Sequence, residues 1–376
     1  MKRNIAFLFV LFLIFGCNSY DRVDPEYTNI EIEEIQDSVS FDDVIEDYQY
    51  IPLSQENGFV IGEVDQVVIN NDKVYVASNG VFCYDLKGNP IFKITNKGNA
   101  KSEYMKCTSI SVQNGILYCY DNAKMTIHKY DSSTGKFIDN IDVPASMKDI
   151  YRIGDIFVLD NIGISSEFYE GDARMLTCEQ FSTKPITEDL FDDQYKFLIK
   201  DQVSYNSESV LFLDYFNNDV YRIDEKGCFK KYSVDFPEEL PENIKSSLIK
   251  ERLLSTENNQ YHYGLTCVYE NDNFVAGQVV EGGAITFFYN KRTKSYMAFH
   301  GYVSKKYQWG PLTFNGVCGD FFYKIVNPES IAIANELLGF GDPLPKNHPD
   351  YQKQKVLLNN KLNDNPILVL YKIKDF

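Results

Sequence analysis

Asp72-Lys73-Val74-Tyr75-Val76, Val81-Phe82-Cys83-Tyr84-Asp85, Lys87-Gly88-Asn89 and Pro90-Ile91-Phe92-Lys93-Ile94 follow one another along the chain. They read as strand, turn, strand, glycine turn, strand. Aromatic and β-branched residues alternate, bounded by Asn, Asp and Gly, which is the signature of consecutive hairpins. The phrase returns. Gly115-Ile116-Leu117-Tyr118-Cys119 leads to Ile127-His128-Lys129-Tyr130-Asp131, Thr134-Gly135-Lys136 and Phe137-Ile138-Asp139-Asn140-Ile141. A third copy holds Val210-Leu211-Phe212-Leu213, Val220-Tyr221-Arg222-Ile223-Asp224, Glu225-Lys226-Gly227 and Phe229 to Val234.

The corner before each glycine turn serves as a ruler. Tyr84 to Tyr130 is 46 residues, and Tyr130 to Ile223 is 93, or two such steps. The corner between them falls near residue 177, where Met175-Leu176-Thr177-Cys178 is strand-like. Further corners stand at Phe288-Tyr289-Asn290 and Val369-Leu370-Tyr371-Lys372. The two longer steps contain helix-like insertions: Pro241 to Leu254, with Ile244, Leu248 and Leu253 near helical spacing, and a helix opened by Asn327-Pro328-Glu329 that runs into Ile331 to Leu338. Six corners with a unit near 46 residues predict an all-β fold, a six-bladed β-propeller with short helical insertions. The last unit ends after its third strand, Ile367 to Lys374. Asp47-Tyr48-Gln49-Tyr50-Ile51-Pro52-Leu53 is expected to supply the missing fourth, closing the ring and covering a sheet edge. A β-sandwich, or a pair of smaller β domains, is the competing arrangement of the same strands.

Residues 1–16 read as a signal peptide. Lys2 and Arg3 precede the apolar run Ile5 to Phe15, which is too short to span a bilayer. Ile14-Phe15-Gly16-Cys17 resembles a bacterial lipobox, and that resemblance implies a diacylglyceryl group on Cys17, membrane attachment through it, and a place in the cell envelope at the outer membrane. Ordinary signal-peptide cleavage beside a coincidental cysteine is the alternative. Residues 17–46 are crowded with acids (Asp21, Asp24, Glu26, Glu31, Glu33, Glu34, Asp37) against Arg22 alone. They are expected to form an extended, self-repelling tether, leaving 47–376 as the propeller.

The chain of 376 residues carries a net charge of −17, and nearer −19 once Lys2 and Arg3 are removed. Such a field repels phosphate backbones and anionic lipid headgroups, so nucleic acid is not an expected partner. Seven cysteines remain after Cys17, without a CxxC pair. Most are expected to be buried free thiols, and one disulfide is compatible with an oxidising compartment. Four histidines (His128, His262, His300, His348) lack metal-ligand spacing. No metal or cofactor is expected, and no nucleophile elbow or phosphate loop appears.

With these residues in view, the chain resembles the six-bladed β-propeller lipoproteins of Bacteroidota, relatives of NHL-repeat propellers, over roughly residues 40–376. Three stretches carry the resemblance: Tyr50-Ile51-Pro52-Leu53 leading to Ile61-Gly62-Glu63-Val64; the ending Asn365-Pro366-Ile367-Leu368-Val369-Leu370-Tyr371-Lys372; and the loop Lys97-Gly98-Asn99-Ala100-Lys101-Ser102-Glu103-Tyr104. Family members often carry Gly-Pro-Gly-Glu-Tyr in that loop. Here Gly98, Glu103 and Tyr104 match, while Ala100-Lys101-Ser102 replaces the Gly-Pro-Gly core. The resemblance implies a fold and an address more than an activity.

Four residues stand out as candidate ligand contacts. Glu103 and Tyr104 are an acid and an aromatic in a glycine-containing loop. His262 lies between Tyr261 and Tyr263, and Trp309 is the one tryptophan, in Tyr307-Gln308-Trp309-Gly310-Pro311. His128, within a repeat strand, is expected to be structural. The leading expectation is a non-enzymatic scaffold that binds a peptide, glycan or protein, with a link to nutrient uptake. The alternative is an extracellular hydrolase or lyase using carboxylates at the channel mouth.

Overall fold

Turn chemistry shapes the elements first. Asn71-Asp72 and Asn114-Gly115 take positive φ at both positions (47° and 59°; 50° and 78°). This is the backbone of a two-residue hairpin whose twist matches its strands. The computed structural model describes residues 23–143, 146–160, 175–179, 182–185, 203–206, 208–251, 260–280, 283–303, 312–338, 344–362 and 364–376.

Three strands come first in the chain: β1 (Val23–Glu31), β2 (Gln36–Ser40) and β3 (Ile45–Pro52), with the one-turn helix α1 (Phe41–Val44) before β3. The first sheet follows as β4 (Gln66–Asn70), β5 (Lys73–Ala77), β6 (Val81–Asp85) and β7 (Pro90–Ile94). The second contains β8 (Cys107–Gln113), β9 (Ile116–Asp121), β10 (Thr126–Asp131) and β11 (Phe137–Asp142). The third contains β12 (Asp149–Ile153), β13 (Ile156–Asp160), β14 (Met175–Glu179) and β15 (Ser182–Pro185). β16 (Val203–Tyr205), β17 (Val210–Asp214), β18 (Asp219–Asp224) and β19 (Gly227–Asp235) make the fourth, followed by helix α2 (Glu242–Glu251). The fifth has β20 (Leu265–Glu270), β21 (Phe274–Val279), β22 (Ile285–Asn290) and β23 (Tyr296–Val303). The sixth has β24 (Gly316–Cys318) and β25 (Phe321–Val326), then helices α3 (Pro328–Leu338) and α4 (Tyr351–Asn359), then β26 (Ile367–Ile373). In each sheet the strands follow chain order, and β3 completes the sixth beside β26. The fold is an all-β propeller with few helices.

The expected closing strand is present. β3 runs antiparallel to β26, with Ile51 opposite Leu368 and Tyr50 opposite Val369. The segment before it departs from the expectation of a free tether. From Val23 onward it is a strap along sheet edges: β1 lies parallel on β19 and β2 parallel on β23, each as a fifth strand. Its acids mislead because an apolar residue recurs among them. Ile30, Ile32, Val39, Phe41 and Val44 are buried while Glu31, Glu33, Glu34 and Asp37 face solvent. Burying those five aliphatic and aromatic side chains, at roughly 1.5–3 kcal/mol each, outweighs the repulsion among exposed carboxylates. Asp24 is the inward-facing acid, and Arg222 meets it at 2.9 Å.

Apolar clusters fill the seams between neighbouring sheets. Tyr75, Cys83, Ile110 and Tyr130 join the first to the second. Tyr120, Ile127, Ile150 and Leu159 join the second to the third. Tyr151, Val158, Phe212 and Ile223 join the third to the fourth. Leu213, Val220, Val268 and Phe287 join the fourth to the fifth, with Ile30 and Ile32 of the strap. Phe288, Phe299, Phe322 and Val369 join the fifth to the sixth, with Val39, Phe41 and Val44. Tyr323, Leu368, Val74 and Phe82 join the sixth back to the first. Every sheet therefore packs on two others, the geometry of a ring rather than of two sheets face to face.

A disulfide joins Cys107 to Cys119 on neighbouring strands of the second sheet. Cys83 and Cys267 are free and buried, and Cys228 and Cys318 are free and partly exposed. The expectation of buried free thiols thus describes Cys83 and Cys267, while Cys107 and Cys119 are bonded.

Candidate functional site

Two kinds of connection alternate along the chain, and they separate the two faces of the ring. The turns from first to second strand, and from third to fourth, are short: 71–72, 114–115, 154–155, 225–226 and 319–320 span two residues each. The connections from second to third strand, and from each sheet to the next, carry every long insertion. These include 161–174, 186–202, 236–264 with α2, and 327–366 with α3 and α4. Consecutive strands of a sheet run in opposite directions. All the long connections therefore begin and end on the face from which the first strands β4, β8, β12, β16, β20 and β24 start. We call it the insertion face and the other the tight-turn face.

A depression of about 190 Å³ opens among the first strands. Every sheet contributes to it: Asp65 and Gln66 from the first, Thr108 from the second, Lys148, Asp149 and Tyr151 from the third, Ser204 and Tyr205 from the fourth, Tyr269 from the fifth and Asn315 from the sixth. Three of its polar side chains, Gln66, Ser204 and Tyr205, hold neighbouring sheets together. Gln66 Oε1 accepts the Ile110 amide at 2.6 Å. Beside the depression, Ser109 Oγ donates to Ile150 O at 3.2 Å and accepts its amide at 3.0 Å. Ser204 Oγ donates to Val268 O at 2.7 Å, and the Tyr323 hydroxyl donates to Val67 O at 3.0 Å. Tyr205 stacks on Tyr151 with ring centroids 5.4 Å apart. Its hydroxyl reaches past the third sheet to the second, donating to Val112 O and accepting Val112 N, both at 3.2 Å. Burial pushes that hydroxyl above the usual tyrosine range. At the mouth, Lys148 Nζ lies 3.9 Å from Asp149 and 3.6 Å from the buried carboxylate of Asp160, while Asp65 is exposed.

Among the described residues, none of those singled out from sequence lines this depression. Tyr104 is wholly buried in the seam between the first and second sheets, its hydroxyl donating to Ile94 O at 3.1 Å. Burial pushes it up to about 12. It is a packing residue rather than an exposed ligand wall. Glu103 folds back on its own loop and accepts the Ala100 amide at 3.0 Å. A side chain at Gly98 (φ 156°) would collide with that carboxylate, which explains the glycine. Lys124 fills the centre of the loop and donates to the carbonyls of Gly98, Ala100 and Glu103 at 3.4, 3.0 and 2.7 Å. His262 lies near the seam of the fourth and fifth sheets, its ring 6.3 Å from that of His300 and 6.5 Å from that of Phe236. Trp309 and Cys17 lie outside the described residues. His128 is fully buried, 3.8 Å from Asp121. That separation exceeds a hydrogen bond, and burial outweighs the nearby carboxylate, so the imidazole titrates below its ordinary range.

Among the described residues, no group of three or more His, Cys, Asp or Glu side chains is placed to hold a metal ion. Among them too, no helix is long and apolar enough to cross a membrane. Six of the residues that converge carry one sequence signal, their place at or just before the start of a first strand: Asp65 and Gln66, Thr108, Lys148 and Asp149, and Asn315.

A family model described as a domain of unknown function, DUF4934, matches residues 27–372. The chain belongs to the DUF4934 family. The match begins inside β1, so most of the strap is part of the DUF4934 domain rather than an appendage to it. Among solved structures, one similar fold is a Bacteroides fragilis protein provisionally described as exported: 14% identity, TM-score 0.71, covering 93% of this chain and 100% of that one. Another is the extracellular domain of a provisionally assigned one-component system of Bacteroides thetaiotaomicron: 11% identity, TM-score 0.37, covering 67% of this chain and 29% of that one. No match is found among curated proteins.

Proposed function

We propose that this DUF4934 protein is an exported lipoprotein, held on the outer membrane through Cys17, whose six sheets act as the blades of one closed NHL-like ring. The ring is a non-enzymatic binding platform for a peptide, glycan or protein, serving uptake at the cell envelope. The observation that carries the binding role is the depression itself. All six sheets meet there, and Gln66, Ser204 and Tyr205 of its lining fasten one sheet to another, which favours a rigid recognition surface. The address is supported by the apolar run Ile5 to Phe15, by Gly16-Cys17, and by the provisional description of the Bacteroides fragilis neighbour as exported.

A specific observation keeps the enzyme reading in play: Asp65 and Asp149 both line the depression, so a hydrolase or lyase would have carboxylates available there. A panel of oligosaccharides and peptides, followed by thermal unfolding and by product analysis, separates the two. The binding platform requires a ligand that raises the melting temperature without turnover, and an effect lost in Lys148→Ala. Product release abolished by Asp65→Asn or Asp149→Asn overturns it in favour of the enzyme. Fatty-acid labelling of the wild type, absent in Cys17→Ala, tests the anchor.

A further inference from the structure

We infer that the depression takes a single neutral sugar ring, the end of a glycan, rather than a peptide or an ion. This rests on the binding platform proposed above and names its ligand class. At about 190 Å³ the depression falls below the roughly 300–1,000 Å³ of pockets that engulf a drug-sized molecule. It holds one ring-sized unit and leaves the remainder of a chain outside.

Two amide side chains set the chemistry. Gln66 and Asn315 line the depression from the first and sixth sheets. Gln66 Oε1 accepts the Ile110 amide at 2.6 Å, and Asn315 Oδ1 accepts the Ile325 amide at 2.8 Å. A backbone N–H donates to an oxygen and not to an NH2 group, so both side chains are fixed in orientation. Among the described residues, neither NH2 group has a hydrogen-bond partner. Both therefore bring uncommitted donors. Asp65 and Asp149 bring acceptors to the same depression. A cation would satisfy the carboxylates and leave the amide donors unmet. An anion would satisfy the amides and meet two carboxylates. The lining ammonium, Lys148 Nζ, already lies 3.9 Å from Asp149 and 3.6 Å from Asp160, so it does not tip the balance towards an anion. A peptide end carries a full charge of one sign and meets the same conflict. Hydroxyl groups donate and accept at once, and answer both sets. Tyr205 completes the match. Its hydroxyl is committed to Val112 and its ring to a stack on Tyr151. What it offers the depression is apolar surface, which suits the C–H face of a pyranose.

Titration calorimetry on the full-length protein tests this. The probes, at millimolar concentration, are methyl glycosides of the common hexoses, N-acetylhexosamines, deoxyhexoses and pentoses, with free amino acids and diaminobutane beside them. Gln66→Glu and Asn315→Asp keep an oxygen to accept the ladder amide and remove the NH2 donor. Both are expected to unfold at the wild-type temperature. At least one glycoside is expected to bind, and each variant is expected to weaken it about fivefold or more. Diaminobutane that binds in place of the glycosides, and binds more tightly to Asn315→Asp, overturns the sugar and leaves a platform for cations. Amino acids that bind in place of the glycosides likewise overturn the sugar and leave the platform. Glycoside binding that both variants retain in full overturns the assigned site. No binding by any of these probes or by the peptides of the earlier panel overturns the platform together with its ligand. A glycoside that is bound with the expected variant pattern and then hydrolysed keeps the sugar and overturns the non-enzymatic reading.

Discussion

Ile51 and Leu368 stand opposite each other in the ladder of the sixth sheet although 317 positions separate them in the chain. Their side chains enter the seam that returns the sixth sheet to the first, beside Val74 and Phe82. The pair makes the ring's closure depend on both ends of the chain. Leu368→Ala is expected to cost about 2–5 kcal/mol in denaturant unfolding. Ile91→Ala, at a site 42% exposed, is expected to stay within about 0.5 kcal/mol. Equal losses at the two sites would mean that the closing ladder does not hold the ring.

The strap makes a second, electrostatic prediction. Asp24 is 3% exposed and draws its charge partner from Arg222 of β18. Arg222→Ala leaves a buried carboxylate without its counter-ion and is expected to cost about 3 kcal/mol. The double variant Asp24→Asn/Arg222→Met is expected to lose less than the single one. A double variant as unstable as the sum of its parts would show that the pair is not coupled, and that β1 docks through its apolar residues alone.

In the loop after the first sheet, one ammonium gathers three backbone carbonyls. Lys124→Met removes the donor to three carbonyls while keeping the length of the side chain. Limited trypsin digestion is the readout, because Lys97, Lys101 and Lys106 lie within the loop or beside it. Faster cleavage there, with global stability reduced by no more than about 2 kcal/mol, is expected. An unchanged cleavage rate would assign the loop's order to Glu103 instead.

His128 gives the fold an acid-sensitive component of definite sign. Burial lowers its folded-state pKa below the ordinary 6.5, so the unfolded chain binds the proton more tightly. Stability from this residue is complete above about pH 6.5 and is lost as the pH falls below that value. His128→Gln is expected to flatten the decline in denaturant midpoint between about pH 6.5 and 5. A slope identical to wild type would remove His128 from the account. Asp214 acts in the opposite sense over a lower range. Burial raises its carboxyl to about 6, so its contribution falls as the pH rises from about 3.8 to 6.

What could be read from the sequence, and what could not, follows from the kind of information each feature leaves. Hairpins announce themselves locally. The Val81 to Asp85 and Pro90 to Ile94 runs became β6 and β7, Met175 to Cys178 proved to lie in β14, and Asn327-Pro328 opens α3. Closure was legible because a missing fourth strand can be counted. The strap was misread because charge was weighed above alternation. Ile30, Ile32 and Val39 carry a strand signal that the acids between them obscure, and a parallel edge strand leaves no turn beside its partner. Candidate site residues fared worst. Glu103 and Tyr104 looked exposed because glycine-containing loops usually are, yet Lys124, from a different hairpin, pulls the loop inward. The residues of the depression are ordinary in type (Gln66, Thr108, Asp149), and only the ring places them together.

The strap also sets an order of events. The partners of the strap and of β3 lie at residues 230–235, 299–303 and 367–373, so an early segment pairs with segments made later. Contacts of such sequence separation are slow to form. A nascent polypeptide cannot lock its ring until β26 (Ile367–Ile373) has been synthesised. Until then the sixth sheet lacks β26 and the ring stays unlatched.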